Sequence, residues 1–243
     1  TSSDHSMHLR SQLRTHLAFA IACFATLAQA GALQVTVTDR DGKPAADVVV
    51  LVNATNAAAA RPAAAPVVIA QESLRFAPFM TVVPVGSTLR FVNRDNYDHH
   101  VRSTPSGPLG SMPAAQYFEL RLDAAQDAPA QRGYGDDYAT PAASKKSGTS
   151  VADVKVTQPG PIGLGCHLHS SMRGQVYVSA TPWFGKTDAN GVLKLDGLPD
   201  GHADITIWHP DQLQEQAALK AQIGSQPAEA SGSLNFTPRR RRA

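Results

Sequence analysis

Apolar and polar residues alternate with period two along residues 33–38 (Leu-Gln-Val-Thr-Val-Thr), and a dense turn cluster, Asp39-Arg40-Asp41-Gly42-Lys43-Pro44, follows at once. Alternation of this kind lines one face of an extended strand and cannot be laid on one face of a helix. The pattern recurs along the chain. Residues 47–52 read as a buried strand that makes a hairpin with the first or lies beside it. Strand signals follow at 67–70, 81–85, 87–93, 99–103, 117–122, 151–157, 174–179, 181–184, 192–195, 203–208 and 233–236. Turn clusters rich in Gly, Pro, Asp and Asn separate them, among them Gln158-Pro159-Gly160-Pro161, Thr187-Asp188-Ala189-Asn190-Gly191 and Leu198-Pro199-Asp200-Gly201. One short helical stretch is expected around 215–222. The fold class expected is therefore all-β.

The first 30 residues read as an address. His8, Arg10, Arg14 and His16 precede an apolar run over 17–27, and Ala28-Gln29-Ala30 offers small residues to a signal peptidase. That run is about 11 residues, against the ~20 that span a bilayer. Cleavage after Ala30 and export to the periplasm are expected, with no transmembrane segment afterwards; residues before Met7 read as an upstream extension. Without residues 1–30 the chain carries 20 Lys and Arg against 19 Asp and Glu. Four of those positives are Arg239, Arg240, Arg241 and Arg242 at the C-terminus. A short basic tail reads as a solvated end, so the charge balance gives no reason to invoke nucleic acid.

Export also changes the cysteine arithmetic, because losing Cys23 leaves Cys166 alone. A lone thiol in an oxidising compartment is a liability unless something occupies it. The surrounding Cys166-His167-Leu168-His169-Ser170-Ser171-Met172 places a thiolate, an imidazole and a thioether at Cys-x2-His-x2-Met spacing, with His99 and His100 far upstream. Two imidazoles, a thiolate and a weak axial thioether are the donors of an electron-transfer copper site. Extended neighbours face opposite sides, so only one of His99 and His100 can point inward. Zinc is the competing ion, though structural zinc sites seldom use Met.

Residues 69–179 resemble the cupredoxins of the plastocyanin and amicyanin type. The carriers are the Cys-x2-His-x2-Met loop and Val85-Gly86-Ser87-Thr88-Leu89-Arg90-Phe91-Val92-Asn93, similar to the V-x-x-G-x-x-V-x-F-x-N strand of that family. The resemblance implies a Greek-key sandwich. It also places the first ligand six positions after Asn93, at His99, so that His99, Cys166, His169 and Met172 hold one mononuclear copper. His100 then takes a supporting or solvent-facing role, and Asn93 supports the loop by hydrogen bonds. Two departures stand out: Leu168 where the family often has Pro, and His167 as an additional potential ligand. The flanks, with the turns at 39–44, 187–191 and 198–201, resemble a transthyretin-like carboxypeptidase regulatory domain. The combination, closing on Trp208-His209-Pro210, resembles exported plastocyanin-like proteins often labelled methylamine utilization proteins.

The expected organisation is a leader over 1–30, a regulatory-like β-sandwich from 31–56 and 180–210, and a linker over 57–66. A cupredoxin domain spans 67–179 with a flexible insertion at 123–150, and 211–243 forms a C-terminal extension. The expected function is one-electron transfer between transient protein partners in the periplasm. The alternatives are copper storage or delivery with the same ligands, and a metal-free surface protein presenting Trp183, Phe184 and Trp208. No Ser/His/Asp nucleophile pattern, phosphate-cradling Gly loop or paired-carboxylate signature is present, and no enzymatic activity is expected.

Overall fold

A computed structural model of the chain describes residues 31–55, 57–125 and 149–239. The leader, most of the expected insertion and Arg240–Arg242 lie outside the described residues. Among the described residues sixteen strands occur in order: β1 Gly31–Thr38, β2 Val49–Ala54, β3 Val67–Glu72, β4 Arg75–Ala77, β5 Met80–Pro84, β6 Thr88–Asn93, β7 His99–Thr104 and β8 Glu119–Leu122. Then come β9 Val151–Lys155, β10 Gly160–Gly165, β11 Arg173–Ser179, β12 Trp183–Lys186, β13 Val192–Leu198, β14 Gly201–Trp208, β15 Leu219–Ile223 and β16 Ala228–Ser233. The protein is all-β, with no α-helix among the described residues.

The central stretch builds two facing sheets, ordered β4-β3-β6-β9 and β5-β11-β10-β7-β8. Ile69, Phe91, Val101, Leu122, Ile162, Leu164 and Val176 fill the space between them. The flanks build two more, β13-β1-β16 and β12-β2-β14-β15, around Leu33, Val35, Val37, Val50, Val52, Ile205 and Ile207, so β1 and β2, expected as a hairpin or as neighbours, lie in different sheets. Strict alternation explains the flank core: every second residue of β1, from Gly31 to Val37, is buried. A smaller cluster joins the two cores, with Val49, Met80 and Trp208 buried together. Tyr177 from the central stretch packs against Trp208 with the rings tilted and their centroids 5.0 Å apart.

Two aspartate-led turns share one construction. Asp39 Oδ1 accepts the amides of Asp41 and Lys43, and Asp188 Oδ1 accepts those of Asn190 and Val192. Each ends in a glycine with positive φ, Gly42 and Gly191. Gly191 is confined as well, because a Cβ there would lie 2.3 Å from the Val37 carbonyl oxygen. Asx-type turns of this kind need the acceptor at the first position and a left-handed residue near the end.

The C-terminal stretch departs from expectation. Residues 215–222 form no helix; β15 runs there instead, antiparallel to β14. Leu219, Ala221 and Ile223 alternate inward, a period-two pattern too short to be told from a helical one in sequence. The last strand is β16, parallel to β1, rather than residues 233–236. Both flanking sheets thus gain an outer strand from beyond Pro210.

Candidate metal centre

Antiparallel pairing brings the site together. In the five-stranded sheet β10 lies between β11 and β7, with Gly165 opposite Arg102 and Gly165 also opposite Arg173. The loop of residues 166–172 therefore leaves β10 at the end where β7 begins with His99. Met172 N–H donates to the His169 carbonyl at 3.0 Å, folding that loop back on itself.

Three donor atoms converge. Cys166 Sγ lies 3.9 Å from His99 Nδ1 and 3.6 Å from His169 Nδ1, and the two Nδ1 atoms are 3.1 Å apart. A point equidistant from all three is about 2.1 Å from each, which matches the ~2.0–2.3 Å that thiolate and imidazole donors keep from a transition-metal ion. His99 is fully buried and Cys166 nearly so, while His169 is partly exposed. Met172 is 1 % exposed and packs in the same core cluster as Cys166.

The imidazole of His99 is prepared for binding through Nδ1. Its Nε2 lies 2.8 Å from Asp95 Oδ2, both groups buried. A carboxylate only accepts, so Nε2 carries the hydrogen and the Nδ1 lone pair faces the cluster. Burial pushes the His99 imidazole below its ordinary pKa and outweighs the opposing pull of Asp95, favouring the neutral, ligating form. Burial acts to raise the Asp95 carboxyl, but hydrogen bonds from His99 and from the Ser73 and Leu74 amides together hold it below the usual value.

Asn93 holds the loop that carries Asp95. Its Nδ2 donates to the Tyr97 and Asp123 carbonyls at 2.8 Å each, and its Oδ1 accepts the Asp95 amide at 2.9 Å. Both side-chain polar atoms are used, in a residue only 2 % exposed. The Tyr97 ring stands edge-on to both His99 and His169, at 5.1 and 5.3 Å between centroids.

His100 stands apart from the three converging donors. Its backbone N–H points to Cys166 Sγ at 3.3 Å, while its ring lies 6.2 Å from that of His167. An amide hydrogen bond to sulfur withdraws charge from a thiolate and stabilises it. His167 is exposed and its Nε2 lies 2.7 Å from Arg102 Nη1. Asp95 and Tyr97 were missed in sequence. The only signal is a carboxylate four residues before His99, and in isolation that reads equally well as a turn former.

The donor set fits copper: two imidazoles, a buried cysteine sulfur and an adjacent thioether match a soft, redox-active ion. With the His99 Nε2 hydrogen held by Asp95, its Nδ1 lone pair meets His169 Nδ1 at 3.1 Å and Cys166 Sγ at 3.9 Å, a place that a cation would satisfy.

No family model matches the chain, and no curated protein sequence matches it. Among solved structures, a copper-containing nitrite reductase from Thermus scotoductus is similar over 52 % of this chain and 24 % of its own length, at 20 % identity and a TM-score of 0.33. The chain thus spans about a quarter of that protein. Amicyanin from Paracoccus versutus is similar over 52 % of this chain and 96 % of its own, at 16 % identity and a TM-score of 0.31. A purple cupredoxin from Nitrosopumilus maritimus is similar over 46 % and 99 %, at 16 % identity and a TM-score of 0.32. These are similarities over part of the chain, and the chemistry of the site carries the functional conclusion.

Proposed function

We propose that residues 67–179 form a cupredoxin domain that holds one copper ion through His99, Cys166, His169 and Met172, and that the protein carries single electrons between partners in the periplasm. The observation that supports this most is the triangle of His99 Nδ1, His169 Nδ1 and Cys166 Sγ, sized for one ion. When bound, copper supplies a one-electron couple tuned by the thiolate and the thioether.

The chain's own residues do the rest. Asp95 fixes the His99 tautomer, and Asn93 fixes Asp95. The His100 amide stabilises charge on Cys166 Sγ. Donors anchored on β7 and on the short β10–β11 loop resist rearrangement, so little has to reorganise when the charge of the site changes. His99 is sealed, whereas the partly exposed His169 edge sits beside Leu168, which is 53 % exposed. That edge is the exit for an electron, and a small apolar contact suits the weak, brief docking of redox partners.

In this reading the leader directs export, the protein is a carrier rather than an enzyme, and the flanking sandwich is the carboxypeptidase regulatory-like unit that the turns at 39–44 and 187–191 suggest. The test is repeated reduction and reoxidation of the copper-loaded protein against a competing chelator. A carrier cycles one electron per chain and keeps its metal. Loss of copper to the chelator on each reduction would replace this reading with storage or delivery.

A further inference from the structure

His100 and His167 follow His99 and Cys166 in the chain, yet neither joins the copper donors, and the two meet each other instead. Pairing of β7 with β8 sets His100 opposite Arg121 and Arg102 opposite Glu119, so His100, Arg102 and Glu119 share one face of the sheet. Residue 167 comes over that face from the loop after β10. Ligand atoms of His100, Glu119 and His167 all lie within 4.8 Å of one another.

We propose that His100, Glu119 and His167 form a second metal site, open to solvent, for a borderline divalent cation such as Zn2+. Two imidazoles and one carboxylate are the protein donors of open zinc sites, in which solvent takes the remaining position. Glu119 Oε1 lies 3.9 Å from His100 Nδ1 and 3.6 Å from His167 Nδ1. Metal bonds of ~2.0–2.2 Å place neighbouring donors about 3.3–4 Å apart, so the exposed Glu119 side chain needs little movement. His100 Nδ1 is buried and has no hydrogen-bond partner. A buried polar atom left unpaired is costly, and a cation would satisfy it. Arg121 does not compete for Glu119, because Asp98 and Asp123 engage its guanidinium.

Arg102 is the opposing group. Its Nη1 donates to His167 Nε2 at 2.7 Å, which keeps the His167 hydrogen on Nδ1. Binding through Nδ1 needs that hydrogen moved to Nε2, where it would meet the Arg102 donor; binding through Nε2 needs Arg102 gone altogether. Either way the ion and Arg102 exclude one another. Removing the guanidinium therefore tightens metal binding, a consequence that a merely structural His–Glu–His contact does not have.

The site stands whether or not copper occupies the neighbouring one, and the experiment separates the two. Zn2+ is titrated calorimetrically into the full chain carrying C166S and H169A, which removes two donors of the first site. One bound Zn2+ is expected, weakened tenfold or more by His167→Ala or Glu119→Gln and tightened several-fold by Arg102→Ala. In otherwise wild-type, copper-loaded protein, His167→Ala keeps the thiolate-to-copper absorption while losing the added Zn2+. His167 and Glu119 are exposed, so these variants fold. Absence of zinc binding, zinc that survives His167→Ala, or no gain from Arg102→Ala would overturn the proposal.

Discussion

Asp95→Asn tests how the chain prepares His99. Asp95 accepts hydrogen bonds from Ser73 N–H at 2.8 Å, Leu74 N–H at 3.3 Å and His99 Nε2–H at 2.8 Å. An asparagine in its place has one acceptor oxygen and one donor NH2. The oxygen stays with the Ser73 amide, at the shorter distance, and the NH2 then faces His99 Nε2. Imidazole must accept there, so its hydrogen moves to Nδ1, onto the atom that faces Cys166 and His169. His99 Nδ1–H can then donate to His169 Nδ1, 3.1 Å away. Two opposite effects follow. The metal-free protein loses the charge-assisted bonds that His99 and the Leu74 amide make to Oδ2, roughly 1.5–3 kcal/mol each, and gains a neutral one of about 1 kcal/mol, so its net destabilisation is about 2–5 kcal/mol. Copper binding must break the new bond and restore the old tautomer, which places the loss at about 10–100-fold in affinity. Denaturant unfolding of metal-free protein gives the first quantity and a competitive copper titration the second. Affinity unchanged within twofold, with the fold intact, would refute the account of how Asp95 acts.

Met172→Ala removes a side chain that is 1 % exposed and should cost the metal-free protein about 2–4 kcal/mol in denaturant unfolding. The copper-loaded variant should keep its thiolate absorption with a shifted maximum. Leu168→Asp, at an exposed position, should leave stability within about 0.5 kcal/mol and slow electron self-exchange between copies, read from NMR line broadening. An unchanged rate would remove the Leu168 side from the docking contact. Gly191→Ala forces a Cβ to 2.3 Å from a backbone oxygen at φ +72, and should destabilise by at least about 2 kcal/mol in thermal or denaturant unfolding. The Asp188 carboxyl is held below its ordinary pKa chiefly by the Val192 amide, with the Asn190 amide adding. Its stabilisation is therefore present above the ordinary carboxyl range and lost as pH falls through the lowered value. An NMR titration midpoint for Asp188 at or above an unfolded-chain aspartate would contradict the turn.

Much of the architecture was legible because it rests on period-two patterning. β1, β6, β7, β9 and β14 lie where alternation and turn clusters put them. Cys166, His169 and Met172 were singled out by spacing and His99 by the resemblance, and the structure brings His99, Cys166 and His169 into one cluster with Met172 packed beside them. His99, rather than His100, faces that cluster. What stayed hidden depends on long-range pairing. β10 is rich in glycine, and Gly163 and Gly165 offer no side-chain pattern to read; the space for a Cβ at Gly163 is taken by Thr104 and Pro105, at 2.5 Å and beyond. The edge strand β4 is only three residues long. β15 alternates as Leu219, Ala221 and Ile223, but only its partner β14 makes it a strand. Asp95 was hidden for a similar reason, since its role exists only once Asn93 has folded residues 94–98 back toward His99.

The central claim is that Cys166 binds copper as a thiolate alongside His99 and His169. Cu(II) added to metal-free protein, with the visible spectrum recorded for the native chain and for Cys166→Ser, tests it directly. An intense sulfur-to-copper charge-transfer band in the native protein, absent in the serine variant, is the expected result. A native protein that stays as colourless as the variant at saturating copper would contradict it.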